Sequence, residues 1–365
     1  RLSAELAEGG CALVVCNTVT RARTRYVALR ERFGDRVSLT HSRFIARDRA
    51  SKDADLVHAF GPGPGGARDG RIVVSTQVAE QSLDIDFDLL ISDLAPVDVL
   101  LQRVGRLHRH DRPRPGGLAR ARLIVTGADV GVRPQVDGGS MKVYGGHLLL
   151  RTAALLRELV EAGRPIRLPA DVPLLVDRCY GDEPLGPAAW VDEMAAARQE
   201  AVDLAAETAR NAGSFALAAP SPRGSVLGWR LRSVGDATDG TQGAAQVREP
   251  DGGFEVVLLE RAEDGLALPA HLGDARALRT DMPPSPAMSR ALAGCLVRVP
   301  GWVTTRPSDA AAIFDDLNVN YFPAWQKDPV MGGQVILVLD ADGNGHLGRF
   351  PVSYDPTLGL EVLYA

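Results

Sequence analysis

Five short apolar runs in the first 130 residues, most of them separated by stretches of helical period, restrict this chain to few folds. The runs are CALVVCNTV, RVSLTHS, RIVVST, DLLISDL and ARLIVT. Most lack strict polar alternation, as expected of parallel strands covered on both faces. Between the first two, TRARTRYVALRERFG sets Tyr26, Val27, Leu29, Arg30 and Phe33 at helical spacing and stops at Gly34. RFIARDRASKDADLVHAF reads as a second helix, ended by the loop GPGPGGARDG. Such alternation implies an α/β domain with a parallel sheet, whose ligands gather at the carboxyl ends of the strands.

The pattern changes after Val143. YGGHLLLRTAALLRELVEAG and AAWVDEMAAARQEAVDLAAETARNAG are helical, and from Ser214 the chain becomes strand-like and turn-rich. SVLGWRLRSV, GFEVVLLERA, CLVRVPGWV, QVILVLDADGNGHLGRF and LGLEVLYA read as strands, and Asp236 to Gly253 as a loop. The expected division is an α/β domain with appended helices over 1–185, a linker helix over 186–213 and a smaller mixed α+β domain over 214–365. A length of 365 residues accommodates this division.

Charge is unevenly spread. Residues 1–130 carry 20 Lys and Arg against 16 Asp and Glu, whereas the rest carry 21 against 30. A basic first part suits a polyanion and an acidic second part a protein partner. The four cysteines (Cys11, Cys16, Cys179, Cys295) form no CxxC pair, and no apolar run is long enough to span a bilayer. The opening residues do not read as a signal peptide, so a cytoplasmic protein without membrane contact is expected.

The most informative segment is DLAPVDVLLQRVGRLHRH. Read as one helix opened by Pro96, it puts Gln102, Arg106 and Arg109 on one face, with Arg103 at its edge. Val97, Leu100, Leu101 and Val104 form the core-facing stripe. Guanidinium forks held rigidly over a cleft suit a transferring phosphoryl group, whose charge they stabilise by bidentate hydrogen bonds.

The run VVSTQVAEQSLDID followed by DLAPVDVLLQRVGRLHRH resembles motifs V and VI of superfamily 2 helicases. In wording it is similar to the helicase-nuclease of type I CRISPR interference, as are LVVCNTVTRA, LTHSRFIARDR and the closing YDPTLGL. The matches are dense over about the first 110 residues and thin beyond. The resemblance implies the second RecA-like lobe of a P-loop NTPase-like helicase, a parallel sheet flanked by helices. It implies an ATP-dependent single-stranded DNA translocase that unwinds and degrades foreign DNA in antiviral defence. Arg106 and Arg109 match arginine fingers, Gln102 and Arg103 complete the motif, and Asp84 matches an acidic residue near the ribose. Thr18, Arg43, Thr76 and Gln77 match positions at the nucleic-acid groove. ATP and magnesium would be shared with a first RecA-like domain. The implied partners are single-stranded DNA, that domain, a nuclease domain and the RNA-guided surveillance complex, with the protein monomeric. Residues from Ser214 onward would recruit that complex and cap the channel. Two other readings stay open, a docking and DNA-guiding module without turnover and another superfamily 2 motor.

Other signals carry no site. The sequence holds no GxxxxGK[ST] and no DExH, so the segment alone is expected to be inactive in ATP hydrolysis. The His110-Asp111 pair reads as a helix end, and no metal-ligand set is expected. DADGNG opens like a calcium loop, but Pro351 occupies the twelfth position, so a hairpin turn is expected. Trp190, Trp229, Trp302 and Trp325 read as buried anchors.

Overall fold

A computed structural model describes residues 2–63, 68–80, 83–131, 134–215, 253–274 and 276–364. The five apolar runs form β1 (Ala12–Val15), β2 (Val37–Thr40), β3 (Ile72–Ser75), β4 (Leu89–Asp93) and β5 (Leu123–Thr126). They make one parallel sheet in the order β2-β3-β1-β4-β5. Side chains two apart in a strand share a face. Ala12, Val14, Val37, Leu39, Ile72 and Val74 pack with Ala22 and Tyr26 of α2 (Val19–Phe33). Leu13, Val15, Val73 and Leu90 pack instead with Leu56, Ala59 and Phe60 of α3 (Ala46–Phe60). A short α1 (Leu2–Glu5) precedes them. Thr18 caps α2, its hydroxyl accepting from Arg21 N, and α2 stops at Gly34 with φ 60°.

One expectation needs correction. The arginine segment is not a single helix through Arg109, because α4 covers only Val97–Val104, capped by Pro96 and Gly105. Beyond Gly105 the chain is captured by tertiary pairing. Leu107 bridges Phe87 in parallel, Phe87 N donates to Arg106 O (2.9 Å), and His108 N donates to Phe87 O (3.0 Å). His108 turns the chain at φ 51°. Val97 and Leu100 are buried as expected, with Leu101 and Val104 half-buried.

After the two-stranded β6 (Ala128–Asp129) and β7 (Gln135–Val136) come α5 (Gly138–Tyr144), α6 (Gly146–Glu161), α7 (Val172–Tyr180) and α8 (Val191–Phe215). Leu149, Ala153, Leu175, Cys179 and Trp190 from this region share one core with Leu94, Val97 and Leu100. The connector helices therefore extend the α/β domain through the apolar side of α4.

The last part holds β8 (Phe254–Ala262), β9 (Gly265–Ala267), β10 (Leu296–Val299) and β11 (Ile336–Leu339), ordered β10-β8-β11 with β9 on β8. Beside it lies the antiparallel sheet β12 (Asn344–Leu347), β13 (Phe350–Asp355) and β14 (Gly359–Val362). The helices α9 (Pro286–Ala293) and α10 (Pro307–Asn318) complete it. DADGNG is a turn between β11 and β12, Asp340 Oδ1 accepting from Asp342 N and Asn344 N. The strand expected at SVLGWRLRSV, Trp229, and all of the expected loop except Gly253 lie outside the described residues. Trp190 and Trp325 are buried, and Trp302 is half-buried against Tyr364. Among the described residues no helix is long and apolar enough to cross a membrane.

Candidate functional site

The bridge between Phe87 and Leu107 sets Arg106 and Arg109 beside the amino-terminal end of β4. α4 begins at the carboxyl end and runs back along the sheet for about 12 Å, at 1.5 Å per residue. Arg106 is anchored to a 3-10 turn, Gln77–Glu80. Its Nε donates to Ala79 O (3.2 Å) and its Nη2 to Glu80 O (2.8 Å). Arg109 is 40% exposed at its side chain and pairs with Asp84 through Nε (2.5 Å), while Nη1 reaches Gly105 O (3.3 Å). Among the described residues, Arg106 Nη1 and Arg109 Nη2 have no hydrogen-bond partner. Burial and the neighbouring Arg109 charge pull Arg106 below the ordinary guanidinium value. Asp84, held below the usual carboxylate range by hydrogen bonds from Arg109 and His110, neutralises this pair only in part. Gln102 is exposed on α4.

Arg103 departs from its expected place at the edge of that face. It is 0% exposed, and all five of its donor hydrogens have acceptors. Nε donates to Glu80 Oε1 (2.7 Å), Nη1 to Ser92 Oγ (2.8 Å) and Asp93 O (3.1 Å). Nη2 donates to Asn17 Oδ1 (2.9 Å) and the Tyr144 hydroxyl (3.2 Å). The reason is tertiary: position 103 lies beside Leu100 on α4, and acceptors from the 77–80 turn, the ends of β1 and β4 and Tyr144 of α5 draw its guanidinium inward. Arg103 touches no open cleft and ties β1, β4, α5 and the 77–80 turn together.

The four nucleic-acid candidates lie together at the other end. Val15, Thr40 and Ser75 share one register row on neighbouring strands, and Thr18, Arg43, Thr76 and Gln77 follow within three residues of it. They are not equally presented. Thr76 is only 3% exposed, so its side chain is withdrawn from solvent. Gln77 Nε2 donates to Asn17 O (2.9 Å) and contacts the Tyr144 hydroxyl (3.4 Å). Thr18 is half-buried at the α2 cap, and Arg43 is half-buried within the influence of Arg23 and Glu361, its guanidinium making no hydrogen bond or ion pair among the described residues.

The Arg43 loop is gripped by the last sheet of the chain. Leu360 N donates to Arg43 O (2.7 Å), and Ile45 N donates to the Tyr354 hydroxyl (3.2 Å). The His41 ring accepts from Arg43 N at Nδ1 (3.1 Å), which leaves Nε2–H to donate to Leu358 O (3.1 Å). Gly359, at φ 70°, admits no side chain, because a Cβ would stand 2.6 Å from Arg43 O. Apolar residues are exchanged as well. Ile45 is buried in the C-terminal core, and Leu358 packs against the α2 side of the parallel sheet.

Sequence reasoning missed a second ionic network. Asp86 and Asp88 are buried and take Arg114 (2.9 and 2.6 Å) and Arg68 (3.2 and 3.1 Å), with Arg112 also on Asp86 (3.1 Å). Arg109 N donates to Asp86 Oδ1 (2.7 Å), so the network fixes the backbone that carries the exposed arginine. Burial opposes ionisation of Asp86, yet Arg114 and its neighbours hold it below the usual range. The matching i, i+2 spacing of Asp86/Asp88 and Arg112/Arg114 is the signal that would have found it.

Residues 8–112 match the family model for the CRISPR-associated nuclease/helicase Cas3, C-terminal, and residues 248–360 match the Cas3 C-terminal domain. The chain is 31% identical to the CRISPR-associated nuclease/helicase Cas3 of Streptococcus thermophilus over 98% of its own length and 38% of that protein. It is 34% identical to the CRISPR-associated endonuclease/helicase Cas3 of Thermus thermophilus over 90% of its length and 35% of that protein. It thus spans less than two fifths of these relatives. Among solved structures, T. fusca Cas3-AMPPNP superposes with a TM-score of 0.76 at 27% identity, covering 99% of this chain and 40% of that one. A chain of a CRISPR RNA-guided surveillance complex, pre-nicking, gives 0.71 at 28% identity, covering 96% and 40%.

Proposed function

The chain belongs to the C-terminal helicase portion of the Cas3 family, and on that premise we propose that it is the second half of an ATP-driven single-stranded DNA translocase. The complete protein would unwind and degrade foreign DNA after recruitment by an RNA-guided surveillance complex. The observation that carries this reading is the pair Arg106 and Arg109, anchored from behind by backbone carbonyls and Asp86 while each keeps an unshared nitrogen.

A nucleoside triphosphate fits that pair. Its γ-phosphate has the acceptors that two guanidinium forks lack, and Asp84, which holds Arg109 and His110 through Oδ1, keeps Oδ2 for a ribose hydroxyl. Bound there, ATP supplies the phosphoryl group whose transfer drives movement. Arg106 and Arg109 would hold its terminal oxygens, Asp84 would orient Arg109, and Gln102 would face the same cleft. Magnesium would be shared with the complementary lobe, as the family resemblance implies. Arg103 is a positioning residue. Its hydrogen bond to Glu80 steadies the turn that ends in the Arg106 acceptors and begins with Gln77.

On the nucleic-acid side, Thr18, Arg43 and backbone amides at the strand ends would grip successive phosphates without reading bases. Thr76 and Gln77 would shape that groove from within. The test compares this chain alone with the complete protein in DNA-stimulated ATP hydrolysis. Turnover is expected only when the complementary lobe is present. Turnover by this chain alone, abolished by R106A, would overturn the division of labour.

A further inference from the structure

Where β14 meets the parallel-sheet domain, Glu361 is engaged by one arginine while another nearby is left without an acceptor. Gly359 and Glu361 lie on one face of β14, and Leu360 and Val362 on the other, buried in the C-terminal core. Gly359 abuts the Arg43 backbone, so Glu361 also faces the α/β domain. There its Oε2 accepts from Arg23 Nη2 of α2 at 2.9 Å. Arg23 stands five residues beyond the Thr18 cap, about 7.5 Å along the helix. It therefore belongs to the same end of the sheet as Thr18 and Arg43.

Neither arginine is satisfied by this arrangement. Among the described residues, the Arg23 guanidinium donates to Glu361 through Nη2 alone, and that of Arg43 donates to nothing. Their spare nitrogens still reach solvent, since among the described residues the sealed, unpartnered side-chain atoms belong to Thr40, Arg68 and His147. Burial and the Arg23 charge pull Arg43 below the ordinary guanidinium value, and Glu361 offsets them only in part. Asp355 also feels the Arg23 charge, but its Oδ1 is committed to its own turn, accepting from Thr357 N, Thr357 Oγ1 and Leu358 N. The Glu361 side chain is 40% exposed. The ion pair is thus open on its carboxylate side, and such pairs are weak enough to exchange. A phosphodiester carries the same charge as the carboxylate, with acceptor oxygens for the donors that Arg23 leaves unused.

Resting on the nucleic-acid reading above, we propose that Arg23 is a further phosphate-binding residue and that Glu361 is the counter-ion a single strand displaces from it. Binding must first break the Arg23–Glu361 pair, so the carboxylate lowers affinity. The test is fluorescence anisotropy of a labelled single-stranded oligonucleotide with the complete protein over a salt series, beside a thermal melt of each variant. Glu361→Gln should bind about threefold more tightly, the scale of one exposed ion pair. Arg23→Gln should bind more weakly and flatten the slope of log affinity against log salt by about 0.7, the loss of one phosphate contact. Adding Glu361→Gln to Arg23→Gln should change nothing further. Arg23→Lys keeps the charge and should recover most of the affinity and the slope, which a damaged fold would not. The proposal falls if Glu361→Gln binds no tighter, or if its gain survives in Arg23→Gln. It also falls if Arg23→Gln keeps the wild-type slope, or if Arg23→Lys recovers nothing. Wild-type protein that binds no single strand at all would overturn the nucleic-acid reading itself, and this inference with it.

Discussion

The Tyr354 hydroxyl donates to Asp48 Oδ2 at 2.5 Å, joining β13 of the C-terminal sheets to α3 of the parallel-sheet domain. The same hydroxyl accepts from Ile45 N, and the His271 ring holds the same Asp48 carboxylate from the C-terminal side (3.0 Å). The segment His41–Asp48, which carries Arg43, is therefore positioned from outside its own domain.

Tyr354→Phe removes a hydrogen bond to a charged acceptor and the partner of Ile45 N. A loss of about 1.5–3 kcal/mol of stability is expected, measured by denaturant unfolding. In the complete protein, single-stranded DNA affinity should fall more than the melt predicts, because Arg43 loses its support. Fluorescence anisotropy checks this, and unchanged affinity in a destabilised variant would separate the bracket from DNA binding.

The His41 ring must stay neutral to hold this bracket. Burial and the Arg43 charge push its pKa down to about 3, from 6.5. The unfolded chain therefore takes up the proton first, and stability from this group is complete above pH 6.5 and declines as pH falls toward 3. The slope approaches about 1.4 kcal/mol per pH unit. Unfolding midpoints measured from pH 7.5 to 4.5 should fall more steeply in the wild type than in His41→Gln. Parallel curves would show that His41 is not the responsible group.

Arg103 and Arg106 should separate cleanly. Arg103→Ala strips Glu80, Ser92, Asn17 and Tyr144 of a buried cation. Breaking one partner of such a pair costs about 3–5 kcal/mol, so a large fall in thermal midpoint is expected. Arg103→Lys should recover only part of it, since an ammonium cannot span acceptors on four elements. A variant with the wild-type melt would contradict the interior role.

What the sequence disclosed follows from which forces are local. The five strands were legible because buried parallel strands are apolar along their length. α2 was legible from its spacing and Gly34, whereas its Thr18 cap appears only in the structure. The end of α4 was not, because Leu107 leaves the helix to pair with Phe87, a contact that no helical period records. Nor was the burial of Arg103, which depends on acceptors from β1, β4, α5 and the 77–80 turn arriving together. YDPTLGL stood out as a resemblance, but its grip on Arg43 joins residues more than 300 apart. The acidic C-terminal part, expected mainly to recruit a partner, thereby also braces the lobe.

ATP hydrolysis by the complete helicase, measured for Arg106→Ala and Arg109→Ala beside a thermal melt of each, tests the central claim most directly. Each substitution should lower the rate by about 10³-fold or more while the melt stays at its wild-type value. A variant that keeps its rate, or one whose lost activity is matched by a lost fold, would contradict the assignment of these two arginines to the nucleotide.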